Sequence, residues 1–132
     1  MNLKRTFKNE RGQTMTEFAL ILPLLVVLLF GIIQFGIIFN NYVTLTDAVR
    51  AGAREAAVSR GNGNPSGACV TRVLGAAGNL NQAQLQPTIT CVSTWAPGAD
   101  VTVSASYPYN VSLLGLVVAS GNLNTTMKER VE

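Results

Sequence analysis

Residues 18–39 read FALILPLLVVLLFGIIQFGIIF, a run of 22 positions with one polar side chain, Gln34. As a helix this run spans ~33 Å, close to the roughly 30 Å hydrocarbon core of a bilayer. A fully buried core helix is the soluble alternative, but a chain of 132 residues has too little other material to surround it on all sides. A cleaved secretory signal is the second alternative. Its apolar region is usually shorter, about 7–15 residues, and no clean small-x-small cleavage site follows this one.

Working outward, charge disappears between Glu17 and Asp47 and is concentrated before the run. Residues 1–12 (MNLKRTFKNERG) set Lys4, Arg5, Lys8 and Arg11 against Glu10 alone, while residues 40–46 carry no charge. The positive-inside rule then places the N-terminus in the cytoplasm and the chain beyond about residue 40 outside. On the outer side NNYVTLTDAVRAGAREAAVS (residues 40–59) has no proline and one glycine, Gly52. Its alanines favour helix, and Asp47 stands three residues before Arg50, a supporting spacing. One helix is predicted from about Thr14 to about Ser59, roughly 70 Å long, half in the membrane and half projecting from it. Pro23 removes one backbone hydrogen bond and should bend or loosen the helix near its start.

The helix is expected to stop at Gly61-Asn62-Gly63-Asn64-Pro65-Ser66-Gly67, a dense set of breakers. Residues 68–80 fit a short second helix with Val70, Val73, Leu74 and Ala77 on one face. Beyond Pro87 the period changes. Residues 88–94 are rich in β-branched side chains, residues 101–107 alternate apolar with polar, and residues 123–131 alternate less cleanly. These are three strand candidates. Residues 108–121 (PYNVSLLGLVVASG) are apolar, and strand, helix and exposed loop all remain open for their centre. The expected class is α+β. A long helix extends into an outer domain, residues 61–132, with a short helix and an antiparallel sheet of three to four strands.

An outer domain that small has a thin core and often needs a staple. Cys69 and Cys91 are the two cysteines of the chain, and both fall on the predicted oxidising side. A disulfide between them is expected; two unpaired buried thiols are the alternative. With no histidine, neither the commonest general base nor the commonest metal ligand is present. A conventional metalloenzyme and a Ser-His hydrolase are therefore not expected. From Asn40 onward six basic residues face five acidic ones, so no basic patch suggests nucleic acid.

At the membrane entry, Gly12-Gln13-Thr14-Met15-Thr16-Glu17-Phe18 closes the basic leader and sets a lone carboxylate before the apolar run. A glutamate there suits the positive end of a helix dipole, which accounts for Glu17 but not for Gly12. Together the residues resemble a class III, type IV-like prepilin signal. The resemblance continues through Glu17-Phe18-Ala19, Pro23, Gly31, Phe35-Gly36 and Ala48…Arg50-Ala51-Gly52-Ala53-Arg54. Over about residues 11–58 the chain is similar to the TadE-like domain of the tight-adherence (Tad/Flp) pilus system.

That resemblance implies a pilin-like minor pilin or pseudopilin of the bacterial inner membrane. It would be cut between Gly12 and Gln13 by a prepilin peptidase, and Glu17 would act in processing or assembly. It implies other pilin or pseudopilin subunits as partners, packed helix to helix, besides membrane lipid, and possible incorporation into a pilus. It implies no catalytic residues, no metal, no cofactor and no small-molecule substrate. An ordinary single-pass anchored binding domain is the competing reading, and an anchored enzyme, which a cleft around an acid such as Asp100 would favour, is a third. Candidate helix contacts are Gln34 and the stripe Ala48, Gly52 and Ala56. Gln34 is expected to bond a partner helix or a nearby polar group. The stripe is expected against the protein's own sheet, or else against another subunit. Gly31 and Gly36, five apart, do not form a GxxxG face.

Overall fold

A computed structural model describes residues 10–113 and 115–132. The leader's Lys4, Arg5 and Lys8 lie outside the described residues. Helix α1 runs Glu10–Val58 without interruption, Pro23 included, and ends in a 3-10 turn at Ser59–Gly61. It starts earlier than the sequence predicts. Gly12 is therefore inside the helix, at a position where glycine costs about 1 kcal/mol relative to alanine.

Helix α2, Pro65–Ala76, begins within the expected breaker segment rather than after it. The reason is local. The Asn64 side chain accepts a hydrogen bond from Gly67 N at 2.9 Å, and Pro65 stands at the first helical position. This is an N-cap followed by a residue whose missing N–H is no loss there. Asn64→Ala is expected to destabilise the outer domain by about 1 kcal/mol, read as a lower urea midpoint. A short helix α3, Gln82–Leu85, and a 3-10 turn, Gln86–Thr88, then lead into the sheet.

The sheet has three antiparallel strands in the order β1-β2-β3: β1 Thr90–Val92, β2 Asp100–Leu113 and β3 Leu116–Arg130. Strand β1 covers only Thr102–Ser104 of β2. The other two pair from Asp100↔Arg130 down to Leu113↔Leu116, with a register shift between Val111 and Ser112. Residues 108–121, left open by the sequence, are thus the far half of one long hairpin. Gly115 turns it with φ +86°, a left-handed conformation that glycine adopts without Cβ strain.

The core lies between α1, α2 and the sheet. Leu45, Ala48, Val49, Ala53 and Ala56 of α1 meet Cys69 and Val73 of α2 and Val101, Val103 and Ala105 of β2. Burial along β2 alternates, as a strand with one face on a core requires. The Cys69–Cys91 disulfide ties α2 to β1. At the far end Glu132 N donates to Ala57 O at 3.1 Å, fastening the end of the chain to the end of α1.

Candidate membrane and assembly site

Helix α1 has two environments. From Gly12 to Ile33 every residue is exposed, and the apolar window is 0% buried within the molecule. It is the one helix among the described residues long and apolar enough to cross a membrane. From Gln34 onward one stripe is covered: Gln34, Ile38, Asn41, Leu45, Ala48, Gly52 and Ala56 are half-buried or buried, while Phe35, Phe39, Tyr42 and Val43 stay exposed. The three-to-four spacing marks a single helical face turned toward the outer domain. On the opposite side Phe35 and Phe39, one turn apart, stack with ring centroids 6.2 Å from each other.

At the entry, Gln13 Nε2 donates to Glu17 Oε1 at 3.2 Å across one turn. The Thr16 hydroxyl lies 2.8 Å from Gln13 O and 3.0 Å from Gly12 O, and its single proton serves one of them at a time. Glu17 is exposed and stands directly before Phe18 and the uncovered apolar surface. Gly12, Gln13 and Glu17 thus occupy the first turns of one continuous helix. A cut after Gly12 would release a new terminal amine four residues, one helical turn, from this carboxylate.

The stripe candidates fall inside the molecule. Ala48 and Ala56 are fully buried in the core shared with the sheet. Gly52 differs from the expectation of sheet packing, because it faces α2. A Cβ added there would stand 3.4 Å from Cys69 O and would collide with Val73 Cγ2. The absent side chain lets the two helices approach, a close contact reached only in the tertiary fold. Asp47 and Arg50 pair at 3.4 Å on the exposed side, where such a pair contributes little.

Gln34 also finds its partner within the chain, in the hairpin rather than in another helix. Its Nε2 donates to the carbonyl of Ser112 at 3.2 Å. Nothing in the local pattern pointed to Ser112 as a functional position, since its role depends on a contact across 78 positions of sequence.

Residues 12–54 match the TadE-like protein family. The matched part holds Gly12, Gln13, Glu17, the whole apolar run and most of the covered stripe. The match ends before the loop into the outer domain. No curated protein and no solved structure matches the chain. The TadE-like region is thus a helix with a bare half and a clothed half, and the outer domain is built on the clothed half.

Proposed function

We propose that this protein is a non-enzymatic minor pseudopilin of a Tad-type pilus or a related secretion apparatus. It sits in the inner membrane with its N-terminus cytoplasmic, its leader removed by a prepilin peptidase between Gly12 and Gln13. The observation that carries the reading is the placement of Gly12 and Glu17 at the mouth of a bare, membrane-length helix, inside the TadE-like match.

The chemistry of assembly follows from charge. A carboxylate carried toward the hydrocarbon costs up to ~3 kcal/mol at mid-membrane and less at the interface. Cleavage creates an ammonium at Gln13. In a bundle of such helices the Glu17 carboxylate of one subunit and the terminal ammonium of a neighbour neutralise each other. An unpaired charge in that place is costly, so the pair fixes axial register. The bare surface from Phe18 to Ile33 supplies the helix packing, and the core of the outer domain stays beyond the membrane.

Intact-mass measurement of the protein purified from its native membrane tests this. The expected mass is that of a chain beginning at Gln13, and Gly12→Val should leave the leader in place. A full-length wild-type chain from cells with an active prepilin peptidase would overturn the proposal and leave an anchored binding domain.

A further inference from the structure

We propose that the tip of the β2–β3 hairpin, residues 111–113 and 115–119, is a second membrane-entering element that dips into the lipid leaflet beside α1. The inference rests on the reading of α1 as a membrane span and adds a lipid-contacting surface that lies outside the TadE-like match.

The hairpin runs alongside the helix and is fastened to it at both ends. At the outer end Glu132 N bonds Ala57 O, and at the inner end Gln34 bonds Ser112 O. Gln34 lies five residues inside the end of the apolar run at Phe39, which places the Ser112 carbonyl ~8 Å below that boundary. The polar margins of the two elements then coincide. Along α1 the first polar residue above Gln34 is Asn40, ~9 Å higher. Along the hairpin the first polar pair above Ser112 is Asn110↔Ser120, ~7 Å higher. Above that level the hairpin carries Asn122 and Asn124; below it Ser112 is the one polar side chain among the described residues.

The tip is apolar on both faces. Leu116, Val117 and Val118 are 73%, 63% and 61% exposed. Leu116 and Val117 are successive paired residues of β3 and point to opposite faces, so one flat partner cannot cover both; Val118 is the extra residue of the register shift. A second protein laid on one face would leave the other wet, whereas lipid surrounds both. No charge occurs between Asp100 and Lys128 to oppose insertion. The backbone is also prepared for hydrocarbon: the strands pair to Leu113↔Leu116, and Ser112 O is taken by Gln34. Open sheet edges are not tolerated in the hydrocarbon centre, so the unpaired outer edges of the hairpin confine its tip to the headgroup side of the leaflet. Finally, β1 does not extend to this part of the sheet, and a bare two-stranded hairpin is marginal in water.

The test places an environment-sensitive NBD fluorophore on single introduced cysteines of the full chain in phosphatidylcholine vesicles. Cys69 and Cys91 are joined and do not compete for the label. Leu116→Cys and Val117→Cys report the two faces of the tip, Phe30→Cys the middle of the span, and Glu129→Cys the far end of β3. The expected result is a blue-shifted emission at 116 and 117, lost when lipids carry doxyl groups near the headgroup. Phe30→Cys should be quenched by deep doxyl groups and Glu129→Cys by neither. Quenching at 30 with none at 116 and 117, or at only one of them, overturns the insertion while leaving the span intact. A blue shift at the tip that no lipid quencher reaches means that a second copy covers it, and also overturns the proposal. Absence of quenching at 30 removes the span itself and the inference with it.

Discussion

Gly52→Leu is expected to destabilise the outer domain by about 3 kcal/mol, the upper end of the overpacking range. The position looks permissive by sequence, being mid-helix, where most residues outrank glycine by up to about 1 kcal/mol. The fold reverses that preference. A Cβ at residue 52 would collide with Val73 Cγ2 and stand 3.4 Å from Cys69 O. Val73 cannot swing away, because it is β-branched, sits in a helix and is fully buried. Cys69 cannot retreat, because it is held to β1 through the disulfide. Leucine therefore separates α1 from α2 and opens the core around Val49 and Val103. Urea unfolding in detergent micelles, followed by Trp95 fluorescence, should show a midpoint lower by roughly 2 M, while the span keeps its helicity. Gly52→Ala adds one methyl and gains helix propensity, so its loss should be the smaller. Equal midpoints for leucine and glycine would show that the helices are not in close contact there.

Removing the disulfide, by Cys69→Ala with Cys91→Ala, is expected to cost a similar amount. The bridged residues are 22 apart, and opening a loop of that size costs about 3 kcal/mol in the chain-entropy model. The effect is large for this domain because few other contacts restrain β1. That strand is three residues long and at the edge of the sheet, and besides its pairing with β2 it receives one long hydrogen bond, from the Ser66 hydroxyl to Cys91 O at 3.4 Å. Loss of the bridge should free β1 first, while the β2–β3 hairpin, fastened to α1 at both ends, persists longest. Hydrogen exchange should therefore accelerate more at residues 90–92 than at residues 101–105. Unchanged exchange in β1 and an unchanged urea midpoint would mean that packing alone holds the domain.

The two experiments separate the helix from what is built on it. Neither change touches Gly12 to Ile33, so membrane insertion and leader removal should survive both. A variant that lost processing together with stability would indicate that the outer domain must fold before the leader is cut.

By itself the sequence determined the membrane-length helix, its continuation past the boundary, the break after it and the three strands. Each of these is written in local features: length of an apolar run, density of alanine, clustered glycine and proline, alternation of period two. Cys69 and Cys91 were legible as a candidate pair because two cysteines allow one internal pairing. The entry motif was legible because Gly12, Glu17 and the apolar run adjoin in sequence.

Only the tertiary structure decided what the exceptional residues touch. Gln34 was visible as the one polar group in the run, yet its partner, the Ser112 carbonyl, lies 78 positions away. Gly52 belonged visibly to a small-residue stripe, but its facing α2 depends on how two helices cross. The centre of residues 108–121 had no decisive period, since a strand apolar on both faces reads much like a short apolar helix or loop. Pairing with β3 and the bond to Gln34 settle that segment as the end of a hairpin. The reason is common to all three: local periodicity reports which face of an element avoids water, while the partner of that face is fixed by contacts between distant parts of the chain.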